Sequence, residues 1–489
     1  MKTLIVFIAG IANALAFAPF NWWPLGLLSF GILFYFWLGS DLKTSVKLGF
    51  VYGLGMFGVG ISWMYISIHT FGGMPPVLAG LCIAVLVSVV SLFPAISGAV
   101  QSLFVRLSVT AKLGLVMPVT WIFFEWMRSW VLTGLPWLST GYSMIDTPLS
   151  NFAPIGGVYL VGLITLISVG VLMSLIRSIT IGNTMFGVVV VGIWASGWLL
   201  NETSWTKAYE GPLKVSVIQN NISISEKWDQ QQTNDIIQSY LQKSRLEQDV
   251  DLIVMPEAAI PDYIDNLSTS FWDEIRTHPA DFIFGVLHRE RIDDQWSYYN
   301  TVAGVSDKIM IYRKQHLVPF GEYFPLRMIL DPLIKMMNMP MSDFSHWNKP
   351  QAPLHVAGNR FAASICYEDA FPADWRNQVD PSGALINVSE DIWFGDSLAP
   401  HQRLQMARFR ARESERPMIR SSNNGLSALI NWKGGIDIYA PQFVEYVVRG
   451  SIQPRTGVTP YIAFGDVAVL IFMGVLFLIA LLFGRIRVR

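Results

Sequence analysis

Of the two cysteines in the 489-residue chain, Cys366 ends an apolar run and is followed at once by carboxylates, in Ser364-Ile365-Cys366-Tyr367-Glu368-Asp369. The run from Phe361 to Ile365 reads as a buried strand. The acidic residues, with Pro372 behind them, read as its exit into a loop, where reactive side chains usually sit. Most lone cysteines are small core residues. Two other stretches could give this one partners: Glu257 follows Leu252-Ile253-Val254-Met255-Pro256, and Lys314 follows Ile309-Met310-Ile311-Tyr312-Arg313. In an α/β sheet, side chains at the carboxyl ends of neighbouring strands converge on one crevice. There a carboxylate can take a thiol proton, and an ammonium can hold the thiolate and then the oxyanion formed when a carbonyl is attacked. Glutamate, lysine and cysteine therefore suffice for acyl transfer. None of the seven histidines stands at metal-ligand spacing with another histidine or cysteine, so neither a metal nor another cofactor is expected.

The elements that must position these residues begin near residue 212, where short β-rich runs alternate with polar helical stretches. Residues 214–219, 251–255, 282–287, 308–312, 361–365, 384–388 and 418–420 read as strands, and 230–248 and 400–415 as helices. This is an α/β domain of about 250 residues, within the usual single-domain range. Gly434-Gly435 reads as a hairpin turn.

The rest of the chain is of another kind. With 52% hydrophobic and 15% charged residues and a mean hydropathy of +0.40, the protein is expected in a membrane. A net charge of -1 gives no reason to expect nucleic acid, and no disulfide is expected between Cys82, inside an apolar segment, and distant Cys366. Seven apolar spans precede residue 201, at about 3–18, 24–39, 47–68, 76–105, 113–132, 157–176 and 183–200, and an eighth runs from about 461 to 483. The fourth is long enough to tilt, or to break at Pro94. The first, a lysine followed by an apolar run, resembles a signal peptide but reads better as an uncleaved first helix. Lys2, Lys43, Lys47, Arg106, Lys112, Arg177 and Arg485, Arg487 and Arg489 fall on one side of these spans, while the alternate loops carry no lysine or arginine. Basic residues stay cytoplasmic, so both termini are expected inside and residues 201–460 outside. Glu125 and Arg128, three apart on one helix face, are open to two readings: an ion pair at the interface or a contact to a lipid headgroup.

Glu257, Lys314 and Cys366, with their flanks, resemble the Glu-Lys-Cys triad of the nitrilase superfamily, whose domain is an α-β-β-α sandwich. Ala16-Phe17-Ala18-Pro19-Phe20, Leu135-Pro136-Trp137, Pro256-Glu257-Ala258-Ala259-Ile260-Pro261, Leu317-Val318-Pro319-Phe320-Gly321-Glu322-Tyr323, Trp393-Phe394-Gly395-Asp396-Ser397, Gln405-Met406-Ala407-Arg408 and Ser422-Asn423-Asn424-Gly425 extend the likeness along the chain. In this order, on a seven-plus-one membrane frame, the chain is similar to the membrane-embedded apolipoprotein N-acyltransferase family. That resemblance implies a membrane domain over residues 1–200, a periplasmic catalytic domain over 201–460 and an eighth helix with a cytoplasmic tail over 461–489, in a bacterial inner membrane. It also implies a phospholipid acyl donor, a diacylated apolipoprotein acceptor and a cysteine thioester between them. By the same resemblance Glu257 is the general base, Lys314 the oxyanion stabiliser and Cys366 the nucleophile. Glu322 and Glu368 would support them, and Tyr367 and Trp228 would lie near the acyl chain and substrate. Two departures stand out: Glu390-Asp391 where the family usually has Asn-Asp, and Arg403 where a histidine is common.

Between Lys314 and Cys366, Met336, Met337, Met339 and Met341 fall in an insert with few charges. This reads as a flexible lipid-entry arm that admits varied acyl chains. The competing readings are a membrane-tethered amidase, which needs only one anchoring span, and a transporter with an outer ligand-binding domain. A transporter would carry charged or helix-breaking sites inside several spans.

Overall fold

The computed structural model describes residues 1–209, 211–319, 321–323 and 344–483. The four methionines of the expected lipid-entry arm lie outside the described residues. The chain divides into two compact units. One comprises Met1–Tyr65, Pro75–Ser204 and the residues from Ala463 onward; the other comprises Ile66–Met74 and Trp205–Ile462.

The first unit is helical: Lys2–Ala14, Trp23–Trp37, Leu42–Gly60, Pro76–Ser102, Met117–Arg128, Ala153–Arg177, Ile181–Leu200 and Asp466–Phe483. Each expected span overlaps one of these helices, but the third stops at Gly60, short of the expected 68, and residues 66–68 belong to the other unit. Length and apolarity separate the helices, because a helix needs about 20 predominantly apolar residues to cross the hydrocarbon layer. Among the described residues Pro76–Ser102, Pro148–Arg177 and Ile181–Leu200 are long and apolar enough, while Lys2–Ala14 and Trp23–Trp37 are apolar but shorter. Pro94 does not end its helix. Backbones meet closely here, as small residues allow in lipid: a Cβ on Gly49 would lie 2.4 Å from the Pro94 carbonyl oxygen, and one on Gly10 would lie 2.2 Å from that of Tyr52. Glu125 and Arg128 are both buried, with partners on their own helix and in the stretch that follows. Glu125 accepts from Trp121 Nε1 at 2.9 Å and from Thr140 Oγ1 at 2.6 Å, while Arg128 donates to the carbonyls of Leu135 and Trp137, both at 2.5 Å.

The second unit is built on two large β-sheets, and a short antiparallel pair joins Thr206–Ala208 to Arg455–Gly457. In the first, strands run in the spatial order Tyr446–Ile452, Leu213–Gln219, Leu252–Val254, Asp281–Ile292, Gln295–Val305, Ile309–Arg313, with Ile260–Tyr263 beside Asp281–Ile292. In the second the order is Ile436–Tyr439, Ala428–Ile430, Met418–Ser422, Ala384–Ser389, Asn359–Ile365, Leu354–Val356. The central strands of each sheet are parallel, and their side chains alternate between two apolar environments, as strands covered on both faces require. Val215, Leu252, Val254 and Ile283 of the first sheet pack against Phe361, Ala363, Ile365 and Ile386 of the second. From the opposite faces, Ile253 and Phe282 pack under the helices Thr233–Ser244 and Thr269–Thr277, and Ala362, Leu385 and Met418 under Leu398–Ser414. The layers are therefore α-β-β-α. The strand Gln295–Val305 was not expected, since its first half is polar. It is supported by eleven antiparallel pairs with Asp281–Ile292.

Candidate active site

The strand Asn359–Ile365 delivers Cys366 into a tight turn, Cys366–Ala370, with Cys366 at φ +50°. A side chain in this left-handed region costs about 1–2 kcal/mol, so the turn must be held from outside. The Cys366 carbonyl accepts from Arg403 Nη2 at 2.6 Å and from Asn387 Nδ2 at 3.1 Å. Glu368 clamps the turn to a neighbouring loop, accepting from the amides of Ile365 (2.7 Å), Gln315 (2.6 Å) and His316 (3.0 Å) and from the Tyr312 hydroxyl (3.0 Å).

Glu257 follows the strand Leu252–Val254. Its Oε1 accepts from Asn300 Nδ2 at 2.7 Å and its Oε2 from the Glu390 amide at 2.8 Å. Gly285 makes room for this loop, because a Cβ there would lie 2.7 Å from Glu257 Cα and 2.3 Å from the Ala258 nitrogen. Lys314 ends Ile309–Arg313 and is 1% exposed; its Nζ stands 2.7 Å from Glu322 Oε1 and 3.5 Å from Glu257 Oε1. Glu322 also accepts from the Val318 amide at 2.8 Å. The three strand ends thus place Glu257, Lys314, Glu322 and Glu368 around one buried turn with Cys366. Tyr367 stacks edge-on against Phe371, 4.7 Å between centroids. Trp228, half-buried, stands one residue after Lys227, whose Nζ donates to the Glu257 carbonyl at 3.2 Å and pairs with Glu390.

Electrostatics follow from burial. Desolvation pushes the Cys366 thiol up to about 12, with the Glu257 charge adding to it and Arg403 and Lys314 pulling it back. Burial opposes the charge on Lys314, but Glu322 and Glu257 outweigh it and hold the ammonium above its ordinary range. Burial also raises the Glu368 carboxyl, to about 7, against its amide donors and Lys314. The resting site is a neutral thiol beside a fixed cation and a carboxylate. Such a set can move one proton from sulfur to oxygen and hold an anion where it forms.

Several residues here were not foreseen. Asn300, in the unexpected strand, bridges Glu257 and Glu322 (3.2 Å to the latter). Beneath Cys366, Arg403 and Arg420 alternate with Asp369 and Asp391 in a closed ring: Arg403–Asp369 3.2 Å, Arg403–Asp391 2.6 Å, Arg420–Asp369 2.9 Å and Arg420–Asp391 3.0 Å, all with side chains 0% exposed. In the sequence, Arg403 and Glu390 stand out only as departures from the family pattern. The Ile66–Met74 segment packs onto the next turn, with the Ser67 hydroxyl donating to the Trp393 carbonyl at 2.7 Å and Phe71 edge-on to Trp393.

A family model for the apolipoprotein N-acyltransferase N-terminal domain matches residues 9–171, and one for carbon-nitrogen hydrolases matches residues 214–461. The chain is 38% identical over 493 residues to an apolipoprotein N-acyltransferase of Pseudomonas paraeruginosa, covering 99% of this chain and 96% of that one. It is 35% identical over 489 residues to a protein of the same name from Vibrio cholerae, covering 97% and 95%. With a relative this similar matched from end to end, and a carbon-nitrogen hydrolase domain holding the buried thiol, the chain belongs to the apolipoprotein N-acyltransferase family.

Proposed function

We propose that the protein transfers an acyl chain from a membrane phospholipid, through a thioester on Cys366, to the free α-amino group of the diacylglyceryl-cysteine that begins an apolipoprotein. In the first stage Glu257 takes the Cys366 proton and the thiolate attacks an ester carbonyl. Lys314 and backbone amides hold the oxyanion, and the lysophospholipid leaves with the proton. In the second stage the α-amino nitrogen attacks the thioester, the C–N bond forms, the C–S bond breaks and Glu257 takes the amine proton. An amide is the more stable acyl product, so the exchange runs downhill. Glu322 keeps Lys314 in place, Glu368 holds the Cys366 turn, and Tyr367 and Trp228 line the way for acyl chain and acceptor. Met336, Met337, Met339 and Met341 serve as the lipid-entry arm.

Both substrates are lipids, so residues 1–200 and 461–489 keep the enzyme in the bacterial inner membrane with eight crossings and cytoplasmic termini, and residues 201–460 face the periplasm. The one-sided distribution of lysine and arginine supports that orientation. The observation that carries the catalytic reading is the buried Glu257–Lys314 contact of 3.5 Å beside a thiol whose charge both residues influence. Its test is mass spectrometry of the protein incubated with phospholipid and no acceptor. An acyl group on the peptide containing Cys366, absent from Cys366→Ala, is expected; an enzyme active in the full reaction with no such adduct refutes the scheme.

A further inference from the structure

Charged groups face Cys366 from every element around it. Glu257 comes from the loop after Leu252–Val254, and Lys314 from the end of Ile309–Arg313 with Glu322 behind it. Glu368 and Asp369 come from its own turn. Asp391 comes from the turn Asp391–Phe394, Arg403 from the helix Leu398–Ser414 and Arg420 from the strand Met418–Ser422. Arg403 reaches the sulfur: its Nη1, which donates to Asp391 Oδ1 at 2.6 Å and Ser389 Oγ at 2.5 Å, lies 3.6 Å from Cys366 Sγ, while the same guanidinium holds the Cys366 carbonyl through Nη2 at 2.6 Å.

We infer that Arg403 is a further catalytic residue, a permanent cation held against the Cys366 sulfur that stabilises the thiolate both when it attacks the donor ester and when it is expelled from the thioester. The inference rests on Cys366 being the nucleophile. Lys314 is held between carboxylates, Glu322 at 2.7 Å and Glu257 at 3.5 Å, and in the proposed function it serves the substrate oxyanion. Arg403 sits on the sulfur side. When the S–H bond breaks, the electron pair stays on sulfur against the guanidinium and the proton goes to Glu257. When the C–S bond breaks, the pair returns to the same place. Asp369 and Asp391 hold the guanidinium rigid through charge-assisted bonds, so little reorganisation is needed as charge appears. Burial opposes the Arg403 charge, but Asp369, Cys366 and Asp391 outweigh it and hold it above even the ordinary arginine value. An arginine therefore supplies this charge unchanged at every working pH, which an imidazole in its place would not.

The test uses the full-length protein with Cys82→Ala, in detergent, and follows iodoacetamide alkylation of Cys366 against pH. Arg403→Gln is expected to raise the midpoint by about one unit or more, as loss of an adjacent opposite charge does, so alkylation at fixed pH falls about tenfold. Arg403→Lys keeps a charge and stays closer to the parent. Arg420→Gln breaks the same ring without this contact to sulfur and also stays closer to the parent. If Arg403→Gln does not fold, Arg403→His replaces it, with alkylation relative to the parent falling as pH rises through about 6.5. A folded Arg403→Gln alkylated at the parental rate at fixed pH overturns the inference. So does an equal shift in Arg420→Gln, or a histidine variant that parallels the parent throughout. Loss of the proposed chemistry itself reads differently: the unsubstituted protein would then carry no acyl group on Cys366 after incubation with phospholipid, whatever the Arg403 variants do.

Discussion

Replacing Glu257 with glutamine separates a general base from a structural carboxylate, because two readouts move in opposite directions. The carboxylate accepts from Asn300 Nδ2 through Oε1 and from the Glu390 amide through Oε2. A glutamine can accept through one end only; its NH2 then faces a donor. One buried donor loses its acceptor, at a cost of about 1–3 kcal/mol in stability. Lys314 keeps Glu322 at 2.7 Å and stays charged. For the chemistry, losing a positioned base lowers acyl transfer by about 10²–10⁴-fold. For the thiol, the sign is reversed. After burial, the Glu257 charge is the next cause raising the Cys366 thiol to about 12, since a nearby anion disfavours a second one. Without it the thiol midpoint falls by about one unit, and alkylation of Cys366 below that midpoint speeds up about tenfold. Acyl transfer is measured with phospholipid donor and a diacylated lipopeptide, and alkylation with iodoacetamide on the same preparation. Transfer within about threefold of the parent would remove Glu257 from the mechanism. Slower alkylation in a folded variant would show that Cys366 does not feel the Glu257 charge as the geometry requires.

Three more outcomes follow from contacts around the same turn and from the orientation. Gly285→Ala places a Cβ 2.3 Å from the Ala258 nitrogen and 2.7 Å from Glu257 Cα, both backbone, so the Glu257 loop must shift; a stability loss of about 1–3 kcal/mol and a fall in turnover of about tenfold or more are expected, and parental turnover would refute the close approach. Glu368 has its carboxyl raised from 4.5 to about 7, so between these values the folded state binds the more protons; its contribution is fully present below about 4.5 and lost as pH rises through about 7. Stability against denaturant should therefore decline over that window by up to about 3 kcal/mol, and Glu368→Gln should flatten the slope while lowering the plateau. A slope unchanged in the variant would assign the decline elsewhere. Asp294, in the turn between Asp281–Ile292 and Gln295–Val305, has a side chain 93% exposed; as Asp294→Cys it should react with a membrane-impermeant maleimide in intact spheroplasts, and protection until lysis would reverse the topology.

What was legible in the sequence, and what was not, divides along a physical line. The strands ending at Val254 and Ile365 are apolar runs because both faces are covered, whereas the one ending at Arg313 is an edge strand with Ile309 exposed; in all three the chemistry-bearing residues follow within three positions. Those features are local. The strand Gln295–Val305 escaped notice because its polar first half lies toward solvent, and with it went Asn300, which joins Glu257 to Glu322. The helical segments were legible, but not their ends or their reach: the third stops at Gly60, and length separates Pro76–Ser102 from a 13-residue helix such as Lys2–Ala14.

The Arg403–Asp391–Arg420–Asp369 ring is the deeper case. Its ion pairs join residues 12 to 51 positions apart, so no short window of sequence contains the pattern. The helix Leu398–Ser414 carries Arg403, Arg410, Arg412 and Glu413, a polarity that normally marks a solvated face, yet these four side chains are buried. Burying such charges is tolerable only when each meets its opposite, and here the ring closes on itself with two cations and two anions. A balanced ring alone would need no particular neighbour. This one extends Nη1 of Arg403 to Cys366 Sγ and Nη2 to the Cys366 carbonyl, so the rigidity that neutral balance provides is delivered at the one residue held in a left-handed turn with a thiol. Breaking the ring at Gly425 offers an independent check of that linkage. A Cβ there would lie 2.1 Å from Asp391 Oδ2, displacing the anion that orients Arg403. Gly425→Ala should therefore slow Cys366 acylation, although residue 425 has no part in the proposed chemistry. Undiminished acylation in that variant would mean that the ring and the nucleophile are independent.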